Sequence, residues 1–239
     1  MVLKISQSVG IGGVNLAADV IAVRSQLVDL GFCWAAGSSW ADVGLSNTIK
    51  LFQSIVGGFN TIRGDGRIDV GGRTHNWLQA INAPRWVLMP TDGAGFRNDE
   101  ATDKTDHHDW GTDWLAQTLI GAGAAYWRSW QATHPSASPL TLNDASLPTG
   151  GDTPKHAGHE TGMGIDLRLP RTDEKVGGIL TTDKLFDRSA MRQQLIALRA
   201  QPLFKRVYLN DLELNGEGLC LRLDGHTDHA HGEIKTPVL

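Results

Sequence analysis

The sequence is poor in cysteine, with only Cys33 and Cys220 among its 239 residues. Proteins that depend on disulfides for stability carry many more cysteines, so we expect no disulfide framework and two buried free thiols instead. The chain also lacks an apolar run of about 18 residues, which argues against a transmembrane helix. It does not open with a basic segment followed by an apolar one, so no secretory signal peptide is expected.

An excess of positive charge is missing as well. The 22 basic residues are outnumbered by 26 acidic ones, and the net charge is −4. A protein that binds nucleic acid by neutralising phosphates needs the opposite balance, so no nucleic-acid partner is expected. With 41% hydrophobic residues, a chain of this length can bury a core in one large domain or two smaller ones. We expect a globular monomer that does not insert into membranes.

The first part of the chain has apolar residues at helical spacing. Three helices are predicted: residues 14–32 with Asn15 as N-cap, a second capped by Ser46 and ended by Gly57 and Gly58, and a short third with Trp77, Leu78 and Ile81. Residues 1–89 are therefore predicted to form a small three-helix N-terminal domain. Residues 84–111 are predicted to form a polar connection.

Residues 90–239 are predicted to form a second domain that mixes helices and strands. One helix is predicted to start at Asp113, and another to cover residues 188–200. The predicted strands are Ile165–Leu169, Leu203–Leu209 and Leu219–Leu223. The fold class predicted for the whole chain is α+β.

Five of the nine histidines fall in two stretches, His156 to Asp166 and His226 to His231. His159 and Asp166 offer an imidazole and a carboxylate on either side of Gly162 and Gly164, where the chain can bend.

His229 and His231 are two positions apart, so on a strand they project from one face. Two histidines and one aspartate can hold zinc and leave a position for water. The alternative is that these are incidental surface or core histidines. His107 and His108 fit either a second metal site or a solvated loop, and we expect the loop.

The N-terminal part resembles the peptidoglycan-binding domain 1 family. The resemblance covers most of residues 5–83. It is carried by Val23 to Phe32 with Leu30-Gly31-Phe32, by Ile49 to Gln53, by Asp65 to Asp69, and by Thr74 to Leu78. It implies binding of cell-wall glycopeptide. The alternative is a helical cap that only packs on the second domain.

The C-terminal part resembles the penicillin-insensitive murein endopeptidase family, a group of zinc peptidases related to lysostaphin, D-Ala-D-Ala peptidases and hedgehog. The resemblance spans residues 140–233 and is carried by His156-x-x-His159-x6-Asp166, by His226-x-x-His229-x-His231 and by the loop Ser146 to Gly151. It implies a central antiparallel sheet flanked by helices.

The endopeptidase resemblance also implies roles for single residues. His159, Asp166 and His231 match the zinc ligands, His229 matches the general base, and His226 and His156 match further active-site histidines. The chain departs from the family at Gly232-Glu233, where members have an apolar residue and an arginine, so the substrate contact of that arginine is in doubt. Glu160 replaces a commoner glutamine, and we expect it to be solvated.

Both resemblances imply the same polymer. The expected function is hydrolysis of peptidoglycan crosslinks between D-Ala and meso-diaminopimelate with Zn²⁺ as cofactor. The protein is expected to be made in the cytoplasm and delivered to the cell wall, as a phage endolysin released by a holin or as an effector of a secretion system. A D-Ala-D-Ala carboxypeptidase and a catalytically silent zinc-containing wall-binding module remain alternatives.

Overall fold

The computed structural model describes residues 3–102, 105, 107–153, 158–175 and 177–239. The chain is mixed α and β, as predicted. The helices in these ranges are α1 (Ala17–Asp29), α2 (Val43–Gly57), α3 (Arg73–Leu78), α4 (Asp113–Ser129), α5 (Arg188–Arg199) and α6 (Leu212–Gly216). The strands are β1 (Val9–Gly10), β2 (Arg67–Ile68), β3 (Trp86–Leu88), β4 (Asp92–Gly93), β5 (Phe96–Asn98), β6 (Trp110–Thr112), β7 (Leu140–Leu142), β8 (Gly164–Arg168), β9 (Phe204–Tyr208) and β10 (His229–Ile234).

The first helix starts later than its cap residue predicts. Asn15 is not the N-cap of α1, because its φ of 57° is left-handed and its side-chain amide donates to the carbonyl oxygen of Gly10. The N-cap is Leu16, which has no side-chain acceptor. Asn15 therefore stabilises the loop before the helix.

The second helix starts earlier than predicted. Ser46 is not its cap: Asp42 precedes α2, and the carboxylate of Asp42 accepts a hydrogen bond from Leu45 N at 2.8 Å. Gly58 ends α2 with a φ of 74°, as predicted. The third helix is shorter than expected, because α3 ends at Leu78 and Ile81 is exposed beyond it.

The main sheet has six strands in the order β4-β5-β7-β8-β10-β9. It is not antiparallel throughout, because β5 and β7 run parallel. Residues 84–111 are not only a connection, since they include β3, β4, β5 and part of β6. These strands have two or three residues each, too few to produce a readable alternation in the sequence.

The two faces of the main sheet have different roles. Ile165 and Leu167 of β8 point toward α4 and α5, where Leu115 and Leu198 line the same small apolar space. Asp166 points to the opposite face. The alternation predicted for β8 is therefore confirmed, but the strand is buried on both faces rather than half-buried as predicted.

One predicted strand is absent. In the part of the chain that the structure describes, Leu219–Leu223 forms no strand, and Leu221 makes only an isolated bridge to Tyr208. Cys220 is a buried free thiol as expected, whereas Cys33 is exposed, so the prediction of two buried thiols is wrong for Cys33.

The apolar core is continuous from Leu3 to Ile234. Trp77 of α3 packs edge to face against Trp114 of α4, with ring centroids 5.7 Å apart. The first three helices thus share a core with the six-stranded sheet. Among the described residues, no helix combines the length and the apolar character needed to cross a membrane.

Candidate metal centre

The register of two central strands brings an aspartate and a histidine together. Asp166 on β8 lies directly opposite His231 on β10. Its Oδ1 atom is 2.9 Å from Nδ1 of His231, and both residues are buried. The alternation of a strand places His229 and Glu233 on the same face of β10 as His231.

A tight turn supplies the third side chain. Gly162 has a φ of 61°, a conformation that favours glycine, and its carbonyl oxygen accepts hydrogen bonds from the backbone and the hydroxyl of Thr112. The turn directs His159 toward β8, with Nε2 3.2 Å from Asp166 Oδ1. His159 is almost completely buried.

The hydrogen bonding of His159 favours a cation between these groups. Its Nδ1 atom lies 3.0 Å from the carbonyl oxygen of Ala145, which can only accept, so Nδ1 carries the proton. The lone pair of Nε2 then faces a carboxylate oxygen of Asp166. Two acceptors at this distance, out of water, repel each other unless a proton on Nε2 or a metal ion lies between them.

The donor set fits a metal ion. One ligand atom from each of His159, Asp166 and His231 lies within 4.8 Å of the other two. Two atoms bound to a tetrahedral zinc at about 2.0–2.1 Å are separated by about 3.3 Å, close to the contacts of Asp166. Nitrogen and carboxylate donors suit zinc and also other transition metals. The predicted ligand residues therefore form a group that could bind a metal ion.

His229 lies beside this group and is held by an acidic neighbour. Its Nδ1 is 2.8 Å from Oδ1 of Asp228, and a carboxylate only accepts, so Nδ1 is protonated. Its Nε2 is 3.7 Å from Asp166 Oδ1 and can accept a proton at the mouth of the site. Sequence reasoning missed Asp228, although an acid directly before a histidine was the available signal.

The remaining predicted histidines differ in position. The ring of His226 lies 4.9 Å from that of His229, and its Nδ1 faces the carbonyl oxygens of Leu223 and Asp224. His156 lies outside the described residues. His108 lies 3.5 Å from the carboxylate of Asp144, and His107 is exposed.

The segment Ser146 to Gly151 lies next to the candidate centre. Ser146 pairs with Trp110 through both backbone groups, and Gly151 N donates to the carbonyl oxygen of Glu160. The segment therefore fixes the turn that carries His159 without contributing a ligand of its own among the described residues.

The candidate centre opens into a cleft of about 690 Å³. One side of the cleft is formed by residues of the main sheet and the loop before β10, and the other by residues of the loop after α2. The lining includes His159, Asp166, His226, His229, His231, Tyr208, Lys205, Arg206 and Glu233 with Gly58, Phe59, Asn60, Thr61 and Arg63. The contribution of the loop after α2 is a long-range contact that no local pattern predicts.

Glu233, the point where the chain departs from the family pattern, is buried in a basic environment. Arg206 donates two hydrogen bonds to its carboxylate, at 2.7 and 3.1 Å, and Lys205 Nζ lies 3.1 Å away. Burial raises the pKa of Glu233, but the hydrogen bonds and charges of Arg206 and Lys205 outweigh burial and lower it below its usual value. Glu233 is therefore ionised and fixes both basic side chains.

Glu160 is not a solvated neighbour of the site, contrary to expectation. Its Oε2 atom accepts a hydrogen bond from Ile62 N at 2.7 Å. The next residue, Thr161, is buried and donates its hydroxyl to the carbonyl oxygen of Phe59 at 2.8 Å. The turn that carries His159 is thus bound directly to the loop after α2.

No protein-family model matches the sequence, and no curated protein matches it either. The two family resemblances and the roles taken from them therefore remain hypotheses that rest on the motifs.

Proposed function

We propose that the protein is a zinc-dependent peptidoglycan hydrolase that cleaves peptide crosslinks between D-Ala and meso-diaminopimelate. The observation that carries the proposal is the buried group of His159, Asp166 and His231 beside His229 at the base of an open cleft. A general base within reach of an ion with an open position is the arrangement that metal-assisted hydrolysis requires.

In the proposed reaction, His229 transfers the protons and Asp228 supports it. When bound, zinc acidifies water and polarises a peptide carbonyl. Nε2 of His229 takes the proton of the attacking water, and Asp228 stabilises the imidazolium that forms. His229 then returns the proton to the leaving amine. Nδ1 of His226 faces carbonyl oxygens, so a neutral His226 has an acceptor at Nε2. Only the protonated form of His226 could donate a hydrogen bond to the oxyanion that develops on the substrate carbonyl.

The N-terminal helices are proposed to bind the same polymer. Several of the residues that carry the resemblance contact each other: Gln53 donates to Asp65 and accepts from Gly66 N, and the rings of Phe32 and Phe52 pack at 5.8 Å. These contacts explain the spacing of the motif as a requirement of packing. Co-sedimentation of the full-length His229→Ala variant with insoluble peptidoglycan tests the binding itself.

Mass spectrometry of digested peptidoglycan tests the reaction. The zinc-loaded protein should convert crosslinked muropeptide dimers to monomers, and the His229→Ala variant with equal zinc content should not. Stems shortened by one residue with dimers intact would indicate a D-Ala-D-Ala carboxypeptidase. Zinc content and wall binding without any released product would indicate a catalytically silent module.

A further inference from the structure

The cleft wall opposite the main sheet is supplied by a loop of the N-terminal part of the chain, residues 58–63. Gly58 stops α2 in a left-handed conformation and turns the chain toward the candidate centre. Phe59, Asn60, Thr61 and Arg63 then line the same cleft as His229 and His231.

This loop is held in place before any ligand binds. Ile62 N donates to Glu160, and the carbonyl oxygen of Phe59 accepts from Thr161. At its other end, the backbone N–H groups of Arg63 and Gly64 donate to the hydroxyl of Ser54, at 2.8 and 3.1 Å. A loop fixed at both ends loses little further entropy when a ligand binds to it.

Arg63 differs from the other basic side chains of the cleft. Lys205 and Arg206 are paired with Glu233. The Arg63 guanidinium lies 5.3 Å above the ring of Phe59, and its Nε donates to Thr61 Oγ1 at 3.2 Å. Within the described ranges, no carboxylate forms an ion pair with Arg63, and its exposed side chain lines the cleft.

We propose that Arg63 binds a free carboxylate of the peptide substrate and so determines its specificity. A guanidinium presents parallel N–H donors that match the two oxygens of a carboxylate. The Phe59 ring and Thr61 orient the guanidinium, so the contact has a defined direction. This inference rests on the proposed peptidase function and adds a substrate feature: an acidic group on the peptide, bound by the N-terminal part of the chain.

The test compares two crosslinked peptides that differ only in whether the carboxylate is free or converted to a carboxamide. For the zinc-loaded full-length protein, amidation should raise KM about tenfold, because a charge-assisted hydrogen bond is lost. Arg63→Gln should raise KM for the free carboxylate by a similar factor, leave kcat within about twofold, and remove the preference between the peptides. Arg63→Lys keeps the charge without the paired donors and should restore only part of the preference.

Arg128→Gln is the matched control, because Arg128 is an exposed arginine near the end of α4 that does not line the cleft. It should leave KM and the preference unchanged. Equal KM values for the two peptides in the wild type, or an unchanged preference in Arg63→Gln with normal zinc content, would overturn the inference while leaving the peptidase function intact.

Binding measurements separate the two proposals. Calorimetry with the His229→Ala variant should give tighter binding of the free-carboxylate peptide, and the double variant with Arg63→Gln should lose the difference. If the wild type cleaves neither peptide, the proposed function is wrong. Calorimetry still decides whether Arg63 binds the carboxylate.

Discussion

Oδ1 of Asp166 lies 2.9 Å from Nδ1 of His231, across two directly paired strands. The same oxygen lies 3.2 Å from Nε2 of His159. One carboxylate oxygen thus contacts two imidazoles. That of His231 lies on the neighbouring strand, and that of His159 lies in the turn before β8. The register of β8 and β10 sets the first of these distances, and the turn at Gly162 sets the second.

The first prediction concerns these three residues. Asp166→Asn or His231→Ala should abolish stoichiometric zinc binding, because each variant loses one of the three ligands that hold the ion. Removing metal from the wild type should lower its melting temperature by roughly 5–10 °C, since a ligand at about a hundred times its Kd contributes about 2.7 kcal/mol. Elemental analysis and thermal unfolding with and without chelator measure both effects.

His134→Ala is the control for the ligand variants, because His134 is exposed and stacked on Trp130, outside the cleft. It should keep zinc and the response to chelator. A wild-type protein that binds no divalent metal, or an Asp166→Asn variant with full zinc content, would contradict the ligand assignment.

The second prediction separates the base from the ligands. His229→Ala should retain zinc and lower kcat by about 10²- to 10⁴-fold, the usual contribution of a general base. Asp228→Ala should lower kcat by roughly tenfold, because Nδ1 of His229 loses its acceptor but Nε2 remains. Rates of product release at matched zinc content measure both. Loss of zinc from His229→Ala would make His229 a ligand, and an unchanged rate would exclude it as the base.

The candidate metal group could be inferred from local geometry only in part, because the contact between Asp166 and His231 joins two strands 65 positions apart. His229 and His231 share a face through the two-residue period of a strand, and Gly162 makes possible the turn between His159 and Asp166. These relationships need only the backbone conformation of short segments. The contact of Asp228 with His229 is equally local and could have been predicted from the sequence.

The cleft as a whole could not be inferred in this way. Ile62 meets Glu160 across 98 positions, and Arg206 meets Glu233 through the pairing of β9 with β10. Such contacts depend on how distant segments pack, and no periodicity encodes them. The helix caps were missed for a smaller reason, since Asp42 and Ser46 are both good N-cap residues and only packing selects between them.

The third prediction is a pH dependence. Tyr126 is buried, and burial raises its pKa to about 12. Its ordinary pKa is about 10, so the folded state holds the proton more tightly than the unfolded state does. The resulting stability is fully present below about pH 10 and is lost as the pH rises toward 12, on the order of 2 kcal/mol.

Tyrosinate absorbance in a Tyr208→Phe variant follows Tyr126 alone, because the sequence has only two tyrosines. The absorbance of the folded protein should rise with a midpoint near pH 12, together with unfolding. Tyr126→Phe should remove this part of the alkaline destabilisation. A midpoint near pH 10 in the folded protein would show that the Tyr126 hydroxyl is accessible to solvent.

The fourth prediction concerns the contact between Glu160 and the loop of residues 58–63. Glu160→Ala removes the acceptor for Ile62 N and should release the loop, so KM rises about fivefold, the effect of one hydrogen bond of about 1 kcal/mol. Glu160→Gln should remain close to the wild type, because its amide oxygen can accept the same hydrogen bond. Steady-state kinetics with zinc analysis measure the two variants.

The split between KM and kcat distinguishes positioning of the loop from an effect on the metal centre. Glu160 is adjacent to His159, so a disturbed centre would lower zinc content and kcat together, whereas a released loop changes KM alone. Glu217→Ala, which breaks an ion pair with Arg192 away from the cleft, controls for the loss of a surface carboxylate. If Glu160→Gln behaved like Glu160→Ala, the charge of Glu160 and not its hydrogen bond to Ile62 would be what the cleft requires.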